Sequence, residues 1–223
     1  MEITEQMIRD ALRYMGIPKG KEDLEVVDKV NKVYKELEKI AVFKTVHELV
    51  PITKSSEGVH FEGTTLTVQS KDLKRLFAHC RKAYLLAATL GQEVERCISL
   101  KQKLDMFEAL VLDTCASVLV DKICDDWEKD IQQELKSGEF LTMRFSPGYG
   151  DVSLECQGEL LTILNTKRRI GLTLTQANML FPTKSITAFI GVSDHKEKKE
   201  KNCGACNLVK SCMYKRRGEH CGL

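Results

Sequence analysis

The sequence has no apolar run long enough to cross a bilayer. Its first residues, Met1-Glu2-Ile3-Thr4-Glu5-Gln6, look nothing like a signal peptide. A cytoplasmic protein is expected. An excess of one charge is missing too. Thirty-four Lys and Arg face 32 Asp and Glu, a formal net charge of +2, which implies no general attraction to nucleic acid or membrane. No internal repeat is visible. There is no even set of cysteines either: the count is nine, which argues against a closed disulfide framework. What is present is ordinary for a globular chain, 43% apolar and 30% charged over 223 residues, enough for one sizeable core or two small ones.

The cysteines fall into two groups. Cys80, Cys97, Cys115, Cys124 and Cys156 are scattered among apolar residues and read as small buried side chains. Cys203, Cys206, Cys212 and Cys221 crowd into the last 21 residues, where an even spread of nine would place roughly one. In a reducing compartment such a cluster points to metal ligands. Four thiolates suit structural zinc or an iron–sulfur cluster, and the spacing does not decide between them. His220 can replace Cys221 as the fourth ligand. A tail of free thiols is the alternative.

Periodicity orders the rest. Thr4 caps a first helix to Met15, and a second runs from about Asp23 to Ile40. Val42 to Ile52 reads as extended and as stopped by Pro51; Val59-His60-Phe61 and Thr65 to Val68 read as short strands. Ser70 caps a helix reaching about His79. The run Ala83-Tyr84-Leu85-Leu86-Ala87-Ala88 reads as a buried central strand, with a helix starting near Gly91. Leu104 to Leu135 is the longest periodic segment and predicts one well-buried helix. Asp113, Asp121 and Asp125 lie off its stripe and read as solvated; Trp127 reads as core. A strand over Phe140 to Phe145, a helix over Gln157 to Leu164 and a last strand over Ser185 to Val192 follow. From Asp194 to Lys201 the chain is highly charged and reads as a linker.

One stretch concentrates chemistry: Arg144-Phe145-Ser146-Pro147-Gly148-Tyr149-Gly150-Asp151. Pro147 and Gly148 fit the two corners of a type II turn, whose N–H groups would point outward. Arg144 offers a planar fork matched to carboxylate or phosphate. The stretch reads either as a site for a small anionic or zwitterionic ligand or as a surface turn between a strand and a helix.

Set beside Ala87-Ala88-Thr89-Leu90-Gly91, Ala116-Ser117-Val118-Leu119-Val120-Asp121, Gly171-Leu172-Thr173-Leu174-Thr175 and Pro182-Thr183-Lys184-Ser185-Ile186-Thr187-Ala188, the stretch resembles the reactivation (S-adenosylmethionine-binding) domain of cobalamin-dependent methionine synthase. The match is to the stand-alone form with a cysteine-rich tail. It covers roughly residues 1–192, leaving 193–223 as the linker and metal-binding tail. The resemblance implies an α+β fold: a single domain with a twisted antiparallel sheet and surrounding helices.

It also implies a function. Such a domain binds S-adenosylmethionine and supports reductive remethylation of the cobalamin of a partner synthase. By matching position, the ligand contacts fall on Arg144, Ser146, Gly148 and Tyr149, and on Asp121 where the family commonly has Glu. No catalytic residue is implied. The fused domain has Pro-Ala where this chain has Phe145-Ser146, and Pro at Gly150. Lys184-Ser185 would form a rim of the cleft. None of the five histidines lies in an Asp-x-His-x-x-Gly loop, so the cobalamin would be held by the partner, a methionine synthase lacking its own reactivation domain. An electron donor is required as well, and an iron–sulfur tail would suit that need. Two other readings stay open: an activator of another corrinoid methyltransferase, and a zinc-tailed module contacting nucleic acid through Lys215-Arg216-Arg217.

Overall fold

In the computed structural model of the chain, residues 3–196, 210 and 213–216 are described. Thr4 starts the first helix: its hydroxyl accepts the Met7 N–H at 3.3 Å ahead of α1 (Glu5–Tyr14). Asp23 does the same for α2 (Leu24–Ile40), accepting from the Glu25 N–H at 2.8 Å. These are the orphan donors that a first helical turn leaves unpaired. The chain continues through β1 (Lys44–Lys54), β2 (Val59–Phe61), β3 (Thr67–Val68), α3 (Lys71–Leu76), β4 (Cys80–Thr89), α4 (Gln92–Leu104) and α5 (Met106–Glu134). Then come β5 (Phe140–Leu141), α6 (Cys156–Ile163), α7 (Thr166–Arg169), β6 (Thr173–Leu174), β7 (Leu180–Phe181), β8 (Ser185–Ser193) and a short α8 (Met213–Arg216).

Six strands form one antiparallel sheet in the order β3-β2-β1-β4-β8-β5. The expected α+β fold with surrounding helices is present as a single domain. The apolar run Ala83–Ala88 lies mid-sheet and is buried on both faces. One face sets Tyr84, Leu86, Ala88, Ala188, Ile190 and Val192 against Cys124 and Ile131 of α5. The opposite face sets Ala83, Leu85, Ala87 and Phe189 against Phe61, Phe77 and Leu160. Helices α1, α2 and α4 pack on the side of α5 away from the sheet, sharing a core of Tyr34, Leu112, Cys115 and Leu119. The middle of the long helix is therefore covered on two sides, by the sheet and by the other helices, which its broad apolar content requires.

Two boundaries differ from expectation for local reasons. Leu104 ends α4 rather than beginning the long helix, because Asp105 is extended (φ −151°) and its carboxylate accepts the N–H groups of Phe107 and Glu108 at 2.9 and 3.1 Å. Pro51 does not stop β1. It pairs with Lys82 of β4, and the next residue, Ile52, pairs with Phe61 of β2. The proline marks a hand-over between neighbours. Trp127 is half-buried rather than core; it donates its indole N–H to His47 Nδ1 at 3.2 Å and meets Tyr84 edge-on.

Asp151 anchors the motif to the sheet's far side. Its carboxylate accepts from the Ser70 hydroxyl and from the N–H groups of Lys71 (2.7 Å) and Asp72 (3.3 Å), at the start of α3. Burial pushes its pKa up, but these donors outweigh it and hold the carboxyl below the usual aspartate range. A depressed folded pKa means the anchor is fully present above the ordinary aspartate value and is lost as pH falls through the lower folded value. Asp151→Asn loses charge-assisted hydrogen bonds at a largely exposed carboxylate and is expected to cost about 1 kcal/mol at pH 7. The difference from wild type should shrink below about pH 4, as urea midpoints across pH would show.

Candidate ligand-binding site

The Arg144 stretch is built around a register slip. Phe140, Leu141 and Thr142 follow β8, with Leu141 opposite Val192 and the Thr142 N–H donating to Gly191 at 2.9 Å. Phe145 then pairs with Phe189 through two backbone bonds, 3.0 and 2.8 Å. Three steps on one strand match two on the other, so one extra residue bulges at Met143-Arg144. A bulge re-aims a side chain. Here the expected continuous strand breaks and Arg144 reaches α5.

On α5 the guanidinium meets three acids. Arg144 donates to Glu128 at 2.8 Å, pairs with Asp125 at 2.8 Å and lies 3.8 Å from Asp121. These acids stand at spacings of four and three on one helix face. Glu128 is the buried end of the set, its side chain 12% exposed against 49% and 55% for Asp121 and Asp125. Burial opposes the arginine's charge, but Glu128 and then Asp125 more than offset it and raise its pKa. Cys124 itself is a neutral thiol, pushed by burial up to about 12.

The turn forms as its residues dictate. The Tyr149 N–H closes on the Ser146 carbonyl at 3.0 Å, with Gly148 at φ +89°. Its N–H groups do not all face outward, however. Gly148 donates to Val152 at 2.9 Å, and Tyr149 is committed to Ser146. A ligand here would meet carbonyls, the Ser146 side chain and the Tyr149 ring, which is 65% exposed. Lys184 and Ser185 are largely spent within the fold. The Lys184 ammonium pairs with Asp113 and donates to Ser117, at 2.8 and 2.9 Å; Ser185 donates to the Pro182 carbonyl at 2.7 Å.

A cleft of about 180 Å³ lies between α1 and α5, lined by Asp10 and Tyr14 on one wall and Val118, Asp121, Lys122 and Asp125 on the other. It is smaller than the roughly 300–1,000 Å³ of an enclosing pocket, so a nucleoside-sized ligand would lie along a groove. Burial and then the Asp121 charge raise the Tyr14 pKa, and Tyr149 is close enough to act on it as well. Tyr14 is thus a protonated hydroxyl beside the expected ligand contacts.

Asp121 and Arg144 are therefore brought together, with Ser146, Gly148 and Tyr149 in the adjoining turn. Sequence reasoning missed Asp125, Glu128, Asp10 and Tyr14. The first two were findable, since they repeat Asp121 on one helix face; the α1 wall had no local signal. Cys203, Cys206, Cys212 and Cys221 lie outside the described residues. No helix among the described residues is long and apolar enough to cross a membrane.

No protein-family model matches the sequence, and no curated protein does. Among solved structures, the crystal structure of the MetH reactivation domain bound to AdoHcy is similar, with a TM-score of 0.61 and 12% sequence identity. The match covers 99% of this chain and 86% of that one. What this chain shares with that reactivation domain, at such low identity, is its fold.

Proposed function

We propose that the chain binds S-adenosylmethionine along the groove between α1, α5 and the 144–151 turn, and supports reductive remethylation of cobalamin held by a partner methionine synthase. The observation that carries this reading is the Arg144 fork lying beside Asp121 at the head of the Ser146–Tyr149 turn. It occurs in the fold of a domain whose structure is described as bound to AdoHcy.

The charges fit. S-adenosylmethionine has one carboxylate and two cationic centres, and the groove sets Asp10, Asp121 and Asp125 around one buried-side arginine. Glu128 holds one side of the Arg144 fork from within. The ligand carboxylate would exchange with the exposed Asp125 on the other side. Asp121 would take a cationic or hydroxyl part, Gly148 would allow close backbone approach, and Tyr149 would cover a flat ring. The bound ligand supplies a methyl group, whose C–S bond breaks with its electron pair returning to sulfur. Residues 1–192 would form this unit. The tail, Cys203, Cys206, Cys212 and Cys221, would hold zinc or an iron–sulfur cluster; the latter would serve the required electron. Anaerobic purification with iron and zinc analysis separates those two, and a colourless zinc-only protein would count against electron relay.

Calorimetric titration with S-adenosylmethionine is expected to give saturable one-site binding; no heat and no competition would sink the reading. The acids predict a preference for the sulfonium over its neutral thioether product. Asp121→Asn removes the charge placed beside the cationic part, so the ratio of the two affinities should fall roughly 2- to 5-fold. Remethylation assays with a synthase lacking its own reactivation domain, run against other corrinoid proteins, identify the partner.

A further inference from the structure

We propose that His79, His195 and Asp194 form a binding site for a divalent transition-metal ion where β4 begins and β8 ends. The register that pairs Cys80 with Ser193 brings the residue before one strand beside the two residues after the other. The His79 and His195 rings lie 4.3 Å apart at 32°, and His195 Nδ1 is 2.5 Å from an Asp194 carboxylate oxygen. One donor atom from each residue falls within a common 4.8 Å. Metal bonds of about 2.0–2.1 Å place tetrahedral ligands about 3.3 Å apart. All three side chains are exposed, so a small rotation closes that gap.

The backbone beneath them is fixed from both sides. The Lys54 ammonium donates to the carbonyls of Phe77, Ala78 and Cys80 at 2.9, 2.8 and 3.0 Å, locking the loop that carries His79. The His195 N–H donates to the buried Ser193 hydroxyl at 3.0 Å. The ring nitrogens have lone pairs to give, and the carboxylate offsets the charge of an ion. Two imidazoles and one carboxylate select Zn²⁺, Co²⁺, Ni²⁺ or Cu²⁺ over Mg²⁺ or Ca²⁺, which want oxygen alone. Three protein ligands leave a position to water, unlike a closed four-thiolate site.

The test is zinc titration of the full chain labelled with ¹⁵N-histidine, followed through the imidazole resonances and reversed with EDTA. His79 and His195 should shift together while His47 and His60 stay put, and His220 reports the cysteine tail separately. His79→Ala should weaken the His195 response at least tenfold, and Asp194→Asn should weaken both by about 10–100-fold. If zinc leaves the His79 and His195 resonances unmoved, or if His79→Ala leaves the His195 response unchanged, the site does not exist.

Discussion

Arg144→Ala is expected to weaken S-adenosylmethionine binding about 10- to 100-fold and, independently of ligand, to cost about 3 kcal/mol of stability. The first effect follows from loss of the planar fork, a charge-assisted contact whose removal weakens binding about 10- to 100-fold. The second follows from what stays behind. Glu128, the least exposed of the three acids, would lose the guanidinium and still face Asp125 and Asp121 along one helix face. The two outer acids are half exposed, so water screens them and they add little; Glu128 sets the cost. A double variant separates the effects. Arg144→Ala with Glu128→Gln should regain most of the lost stability by urea unfolding while binding stays weakened. Arg144→Lys keeps the charge but cannot hold Glu128 and a carboxylate at once, so it should bind weakly. Wild-type affinity in a folded Arg144→Ala protein would remove the arginine from the site.

Phe189→Ala should destabilise the chain by about 3–5 kcal/mol, the range for emptying a large aromatic position in a closed core. Phe189 is fully buried and stacks on Phe61 at 5.2 Å, on the sheet face away from α5. The same residue's backbone carries Phe145, and with it the turn. Those two backbone bonds do not need the ring. The prediction is therefore a large fall in urea midpoint with ligand affinity nearly intact under conditions where the variant is folded. A matching loss of affinity would mean that the core positions the turn more tightly than the backbone bridge does.

Much of this was legible in the chain. The caps Thr4 and Ser70, the buried Ala83–Ala88 strand and the Pro147-Gly148 turn all act through neighbours close in sequence, which propensity and periodicity read well. The break at Asp105 was harder, because apolar spacing continues across it while one extended residue ends a helix. The bulge at Met143-Arg144 was invisible. It is a mismatch between two strands some fifty residues apart, and nothing local encodes it. Asp151, at the end of the stretch, is spent on the first N–H groups of α3, some eighty residues earlier in the chain.

By itself, then, the sequence determined the helices, the central strands and the turn. Each follows from side-chain period or from the φ that Pro and Gly permit or impose. Only the tertiary structure decided that Arg144 lies among Asp121, Asp125 and Glu128, that Asp151 belongs to another helix, and that α1 supplies the far wall with Tyr14. Those facts depend on which strands pair, in what register, and on which face of α5 is left after α2, α4 and the sheet have taken the rest. That is a competition among distant surfaces, and no single segment carries its outcome.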